Sequence, residues 1–206
     1  MDTPAHPELL IATGNAGKIR ELTELLSNLP LRLRHLSEFP QVEEVQETGE
    51  TFAANAELKA RLYSRQTNLL TLADDSGLEV DALGGAPGVL SARYGGAHAT
   101  QAERNARLLA ELSATGDAQR TARFICAIAL YEPAAQTTKI FAGTCEGRIS
   151  EHPRGNGGFG YDPLFVPNGY THTFGELPDE LKQRISHRAR ALAAVRAYLD
   201  GLFTQP

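Results

Sequence analysis

Apolar positions recur along the chain at strand spacing and at helix spacing in turn, and that alternation predicts an α/β protein. Glu8-Leu-Leu-Ile-Ala-Thr13 is an apolar run of strand length. After Gly14-Asn15-Ala16-Gly17-Lys18 comes a helix with Ile19, Leu22, Leu25, Leu26 and Leu29 on one face. Leu31-Arg-Leu-Arg-His-Leu36 alternates as a half-exposed strand does. A polar loop from Glu43 to Gly49 leads into a second helix with Phe52, Ala56, Ala60 and Tyr63 inward, and Thr48 is its candidate cap. Leu69-Leu-Thr-Leu-Ala73 reads as a buried central strand ending on Asp74-Asp75-Ser76-Gly77. From Leu78 to Tyr94 the density of glycine and proline marks a shaped loop. Thr100-Gln-Ala-Glu103 is a capping box opening a helix that buries Leu108, Leu109 and Leu112. Thr121 to Tyr131 reads as another central strand, Pro133 ends it, and Thr138 to Thr144 returns as a hairpin partner. Pro178 to Ile185 starts a helical segment, and Ser186 is the N-cap of a last helix with Leu192, Val195 and Leu199 inward. No repeat or linker interrupts the pattern, so one domain over residues 1–206 is expected.

Three stretches carry candidate chemistry. Strands of α/β enzymes deliver their reactive groups at the rim of the sheet, and Asp74-Asp75 stands where the central strand runs out. Two adjacent carboxylates repel unless positive charge is near, which a divalent cation would supply; the alternative is an Asp-Asp-Ser-Gly turn. The Gly14 to Lys18 loop sits between a strand and a helix, a layout that points free backbone N–H groups at an anion. It is not a Walker A sequence, and it reads equally as a connector. Lys18 favours a ligand, since a cation in a first helical turn is disfavoured by about 0.3–1 kcal/mol unless an anion sits there too. The third stretch is Arg154-Gly-Asn-Gly-Gly-Phe159-Gly160-Tyr161-Asp162-Pro163. Its aromatics suit either a site where a flat ring stacks or a loop pinned to the core. His187 and Arg188 read as first-turn residues, either solvated or facing a ligand.

Composition narrows the class. Hydrophobic content of 42% and charged content of 22% are those of a globular protein. No run is long enough to cross a bilayer and no signal pattern opens the chain, so a cytoplasmic protein without membrane partners is expected. Cys126 and Cys145 fall in strand-like segments without metal spacing and are expected to be reduced core residues. The formal net charge of −5 argues against a nucleic-acid partner but not against a small phosphorylated ligand.

Ala12-Thr13-Gly14-Asn15-Ala16-Gly17-Lys18, Glu47-Thr-Gly49 with Thr51-Phe52 and Asn55-Ala56, the run from Asp74 to Arg93-Tyr94, Gly157-Gly-Phe159-Gly160-Tyr161-Asp162-Pro163 and Ser186-His187-Arg188 occur in one order over nearly the whole chain. Together they closely resemble the non-canonical purine nucleoside triphosphate pyrophosphatases, the inosine and xanthosine triphosphate pyrophosphatase family. The resemblance implies an elongated mixed α/β sheet with flanking helices, two lobes around a nucleotide cleft, and a homodimer. It implies magnesium-dependent hydrolysis of ITP, dITP and XTP to the monophosphate and pyrophosphate. On that reading Asp75 is the catalytic base and a metal ligand with Glu47. Thr13, Gly14, Asn15, Ala16, Gly17 and Lys18 cradle the phosphates, Ser76 adds a donor, and Lys182 and Arg188 offset charge with Lys18. Phe159 stacks on the base, whose edge meets Gly160, Tyr161 and His187, with Asp162 either reading that edge or only fixing the loop. The family commonly carries two acids before Thr-Gly, where this chain has Gln46 and Glu47; Glu47 or Glu44 would then serve in place of the first acid. Rival readings are a hydrolase for other modified nucleotides and a nucleotide-binding protein that does not hydrolyse.

Overall fold

A computed structural model describes residues 7–96 and 98–203. Six strands, β1 (Glu8–Ile11), β2 (Arg32–His35), β3 (Leu70–Val80), β4 (Thr121–Glu132), β5 (Thr137–Ile149) and β6 (Phe165–Pro167), form one sheet in the order β2-β1-β3-β4-β5-β6. Among the described residues five α-helices flank it: α1 (Ala16–Leu26), α2 (Phe52–Thr67), α3 (Gln101–Thr115), α4 (Asp179–Ile185) and α5 (His187–Phe203). β1 pairs in parallel with β2 and with β3, with α1 and α2 in the connections, and β6 pairs antiparallel with β5. The fold is thus the expected mixed α/β sheet with flanking helices. The chain divides into two compact units. One holds the chain up to Asp75, Ala127–Ala142 and the chain from Ala191 on; the other holds Ser76–Cys126 and Gly143–Arg190.

In the first unit Leu9, Leu10 and Ile11 of β1 are fully buried, as are Leu22 of α1, Ala56 and Ala60 of α2 and Leu72 of β3. Leu192, Val195 and Leu199 of α5 join that core. α1 stops at Leu26, short of Leu29, because the residue before Pro30 is biased away from helix; Leu29 is buried nonetheless. α2 is capped by Thr51, whose Oγ1 accepts from the Ala54 N–H at 3.1 Å, and not by Thr48. The polar stretch before it consumes residues that sequence spacing assigns to the helix.

The second unit is built around Leu78, Val80, Leu108, Leu112, Phe124, Ile149, Leu164, Phe165 and Phe174. Cys145 lies in this core and Cys126 is also buried, both as free thiols. Burial pushes the Cys145 thiol up to about 11. β5 reaches Ile149, well past Thr144, because Cys145, Gly147 and Ile149 alternate inward with Glu146 and Arg148 outward. Gly147 is required there: a Cβ would stand 2.4 Å from the Val166 carbonyl of β6.

The largest departure from the sequence pattern is in β3. It does not end at Ala73; it continues through Asp74-Asp75-Ser76-Gly77 to Val80 without a turn. The two carboxylates are therefore inside a strand, at 0% and 5% exposure, and neither projects from a rim.

Candidate functional site

Burying two consecutive carboxylates requires positive charge close by, and the first unit supplies it from two helices. β1 feeds the turn that opens α1. Asn15 caps the helix, its Oδ1 accepting the Lys18 N–H at 3.1 Å, while its own N–H donates to Thr13 Oγ1 at 3.2 Å. The Lys18 ammonium lies 3.1 Å from Asp74 Oδ2. The anion that a lysine at this position calls for is thus Asp74, a residue of the protein itself.

α2 supplies the rest. Asn55 and Lys59 stand one turn apart on its buried face. Asn55 Nδ2 donates to Asp75 Oδ2 at 3.0 Å, and its Oδ1 accepts the Gly49 N–H at 2.7 Å. Lys59 donates to Glu47 Oε1 at 2.5 Å and to the Asp74 carbonyl at 2.8 Å. Burial pulls the Lys59 ammonium down, but Asp74, Asp75 and Glu47 together outweigh it and hold it above its ordinary value. For Asp75 burial wins: it raises the carboxyl above the ordinary range, with Glu47 adding to the rise and Lys59, Lys18 and the Asn55 hydrogen bond opposing it. Asp75 is a carboxylate tuned toward accepting a proton.

The cluster also bears on a metal. Among the described residues no group of three or more His, Cys, Asp or Glu is arranged to hold one. Asp74, Asp75 and Glu47 nevertheless carry more negative charge than Lys18 and Lys59 neutralise, and their oxygens are hard donors. Magnesium usually takes only one or two carboxylates and completes its shell with water and phosphate. Asp75 and Glu47 fit such an ion; Gln46 and Glu44 are exposed.

The second unit gathers the remaining sequence candidates. Ser76, directly after Asp75, accepts from Arg188 Nη2 at 2.9 Å. Arg188 is 1% exposed, and a guanidinium this buried is there for its hydrogen bonds. Asp162 Oδ2 takes two short bonds of 2.6 Å, from the Phe159 N–H and from the Lys182 ammonium. The Lys182 ammonium lies 4.7 Å from the Phe159 ring centre and the Arg188 guanidinium 5.7 Å from it. Both cations that the resemblance gives to phosphate thus gather at the ring given to the base. Gly158, at φ 68°, makes the turn possible, since a Cβ there would come within 2.1 Å of Asp162 Oδ2. Gly160 has φ 64° and open space where a side chain would be.

Phe159 and Tyr161 resolve differently. Phe159 is half-buried among cations, whereas Tyr161 is 4% exposed and its hydroxyl donates to the Ser91 carbonyl at 3.0 Å. Burial raises the Tyr161 phenol well above its usual range. Tyr161 pins the loop to the core. His187 and Arg188 are buried, not solvated: His187 stacks on Phe124 with ring centres 4.7 Å apart and planes 13° apart. Ser186 Oγ accepts the Ala189 N–H at 3.2 Å, the cap expected of it.

Sequence reasoning missed the roles of Asn55 and Lys59. Their signal was present as two polar residues four apart on the face that also carries Phe52, Ala56 and Tyr63.

Comparison with known proteins places the chain. Residues 9–198 match the model of the Ham1 family. A curated dITP/XTP pyrophosphatase of Geobacter sulfurreducens is 49% identical over 191 residues, covering 93% of this chain and 96% of its own. One of Geobacillus kaustophilus is 51% identical over 185 residues, 90% of each chain. Among solved structures, a HAM1 protein from Coxiella burnetii superposes with a TM-score of 0.88 at 43% identity, covering 95% of this chain and 99% of that one. A nucleoside-triphosphatase, dITP/XTP pyrophosphatase, from Mycobacterium abscessus gives 0.75 at 46% identity, covering 91% and 98%. A family model spanning nearly the whole chain, with relatives at half identity over nine-tenths of it, establishes that this protein belongs to the Ham1 family.

Proposed function

We propose that this protein hydrolyses non-canonical purine nucleoside triphosphates, dITP, XTP and ITP, to the monophosphate and pyrophosphate. The observation that carries the reading is Asp75: a strand-borne carboxylate at 5% exposure, hydrogen-bonded by Asn55 and flanked by Lys59 and Lys18, in a chain half identical to dITP/XTP pyrophosphatases.

Attack of water on the α-phosphorus needs a base, alignment and charge neutralisation. Asp75 accepts the proton of the water, and its burial keeps it basic enough to do so. Magnesium, held by Asp75 and Glu47, would supply further charge neutralisation at the phosphates. The Asn15 cap commits the Lys18 N–H and leaves the Ala16 and Gly17 amides at the start of α1 for phosphate oxygens, with Gly14 and Thr13 beside them. Lys18 brings its charge to the same turn, tethered by Asp74.

Base choice falls to Phe159, Gly160, Asp162 and His187. Hypoxanthine and xanthine carry an oxygen at C6 and a proton on N1, whereas adenine presents an amino group and a bare acceptor. A donor facing O6 and an acceptor facing N1–H leave unpaired polar groups when adenine enters, a mismatch that discriminates strongly. Phe159 offers its ring, and the Lys182–Asp162 pair fixes the turn that presents it.

The working form proposed is a magnesium-dependent homodimer in the cytoplasm, its assembly checked by sedimentation velocity. The deciding experiment is product identification with ITP, XTP, dITP, ATP and GTP, with and without magnesium, assaying pyrophosphate separately from orthophosphate. Pyrophosphate from ITP, dITP and XTP, little from ATP, and dependence on magnesium are expected. Orthophosphate would mean attack at the γ-phosphorus and overturn the mechanism. Thermal stabilisation by ITP with no release from any substrate would mean a nucleotide-binding protein.

A further inference from the structure

A cavity of about 290 Å³ lies in the second unit, away from every residue assigned above. Its wall combines the turn around Arg120, the end of β5 with Arg148, and the stretch from Ser150 to Arg154. Three guanidiniums and His152 line it against one carboxylate, Glu151. In a chain whose formal net charge is −5, that is a local reversal of sign.

Two of the guanidiniums, Arg120 and Arg154, are anchored on backbone carbonyls. Arg120 adopts a left-handed backbone with φ 54°, fixed by Asp117, which accepts the N–H groups of Gln119 and Arg120 at 3.1 and 2.9 Å. The Arg120 side chain donates Nε to the Ile149 carbonyl at 2.9 Å and Nη2 to the Ser150 carbonyl at 3.0 Å, which leaves Nη1 uncommitted among the described residues. No carboxylate forms an ion pair with this guanidinium among the described residues. Arg154 donates Nη2 to the Thr171 carbonyl at 3.0 Å, with Glu176 3.5 Å from its Nε. Arg148 is exposed and makes no side-chain hydrogen bond or ion pair among the described residues. Like charges brought together on a rigid wall favour an anion between them, and preorganised guanidiniums suit the planar edges of oxyanions.

The wall also limits the class of ligand. It is too polar for an apolar molecule, and its size is at the bottom of the range for small-molecule pockets. An acidic protein surface does not suit a nucleic-acid backbone. We propose that this cavity is a second anion site, for a phosphate-class oxyanion such as inorganic phosphate or pyrophosphate. The proposal stands apart from the nucleotide reading, because it concerns binding at residues that reading does not use.

The test is a titration of the isotope-labelled full chain with inorganic phosphate, pyrophosphate and, at matched ionic strength, chloride, followed through backbone amide resonances. Saturable shifts at Gln119, Arg120, Ile149, Ser150 and His152 with either phosphate species, absent with chloride, are expected, and the tighter of the two identifies the ligand. In Arg148→Glu the same shifts should need at least roughly tenfold more anion, while hydrolysis at the candidate site is unchanged. Equal shifts with chloride, shifts confined to residues 13–18, or wild-type affinity in Arg148→Glu would each overturn the proposal.

Discussion

At the scale of single residues the decisive number is the exposure of Asp75, 5%, because it sets the cost of carrying a charge. Its carboxyl is raised above the ordinary carboxylate range, chiefly by burial. The folded protein therefore binds this proton more tightly than the unfolded chain does. The stability from that proton is fully present below the unfolded value and is lost as pH rises through the raised folded value. In metal-free protein Asp75→Asn keeps the Asn55 hydrogen bond and removes the titration. Its melting temperature should exceed that of wild type near pH 7, with the gap closing toward about pH 4. The same variant should lose about 10²–10⁴ in pyrophosphate release, the worth of a positioned general base. Thermal melts and a turnover assay on one preparation check both effects, and a folded variant of normal activity would remove Asp75 from the mechanism. Asp75 and Lys18 were legible because an apolar run ending on acids and a glycine turn before a helix are local patterns. Lys59 was not, since its place on the apolar face of α2 marks a buried lysine without saying which carboxylates it faces.

At the scale of elements, α2 is the means by which the strand's charges are made tolerable. Lys59→Met leaves Glu47 and Asp75 without their shared ammonium, and removing one partner of a buried pair costs about 3–5 kcal/mol. Denaturant melts should show a loss of that order at pH 7. The loss should shrink on acidification, because Asp75 deprived of Lys59 takes up its proton at higher pH than in wild type. The turn before Asp162 makes a second case. Gly158→Ala places a Cβ within 2.1 Å of Asp162 Oδ2 and an alanine at φ 68°. About 1–3 kcal/mol of stability should go, measured by chemical denaturation, with KM for ITP rising more than kcat falls if the Phe159 turn is displaced. Element boundaries were read from sequence where punctuation is strong, as at the Thr100 to Glu103 box, whose two reciprocal bonds are present. They were misread where a strand carries polar residues. Asp74 to Ser76 looked like a terminus because the neutralising charge comes from side chains of α1 and α2, outside the strand itself.

At the scale of the whole molecule, the fold class followed from the alternation of strands and helices, whereas the division into two units did not. Neither unit is a continuous stretch: the first takes in Ala127–Ala142 and the chain from Ala191, and the second takes in Gly143–Arg190. No linker marks such a division, so a search for punctuation finds one domain. Within α5 the unit changes between Arg190 and Ala191. His187 and Arg188 complete the second unit through Phe124 and Ser76. Leu192, Val195 and Leu199 complete the core of the first, where Tyr198 packs on Phe141 and Arg196 reaches the Leu25 carbonyl. Synthesis from the N-terminus therefore yields no finished half. Until α5 has cleared the ribosome, β1, β3 and the Asp74–Asp75 pair wait without the helix that closes their core, and a nascent chain stalled before Ser186 should be open to proteolysis from end to end.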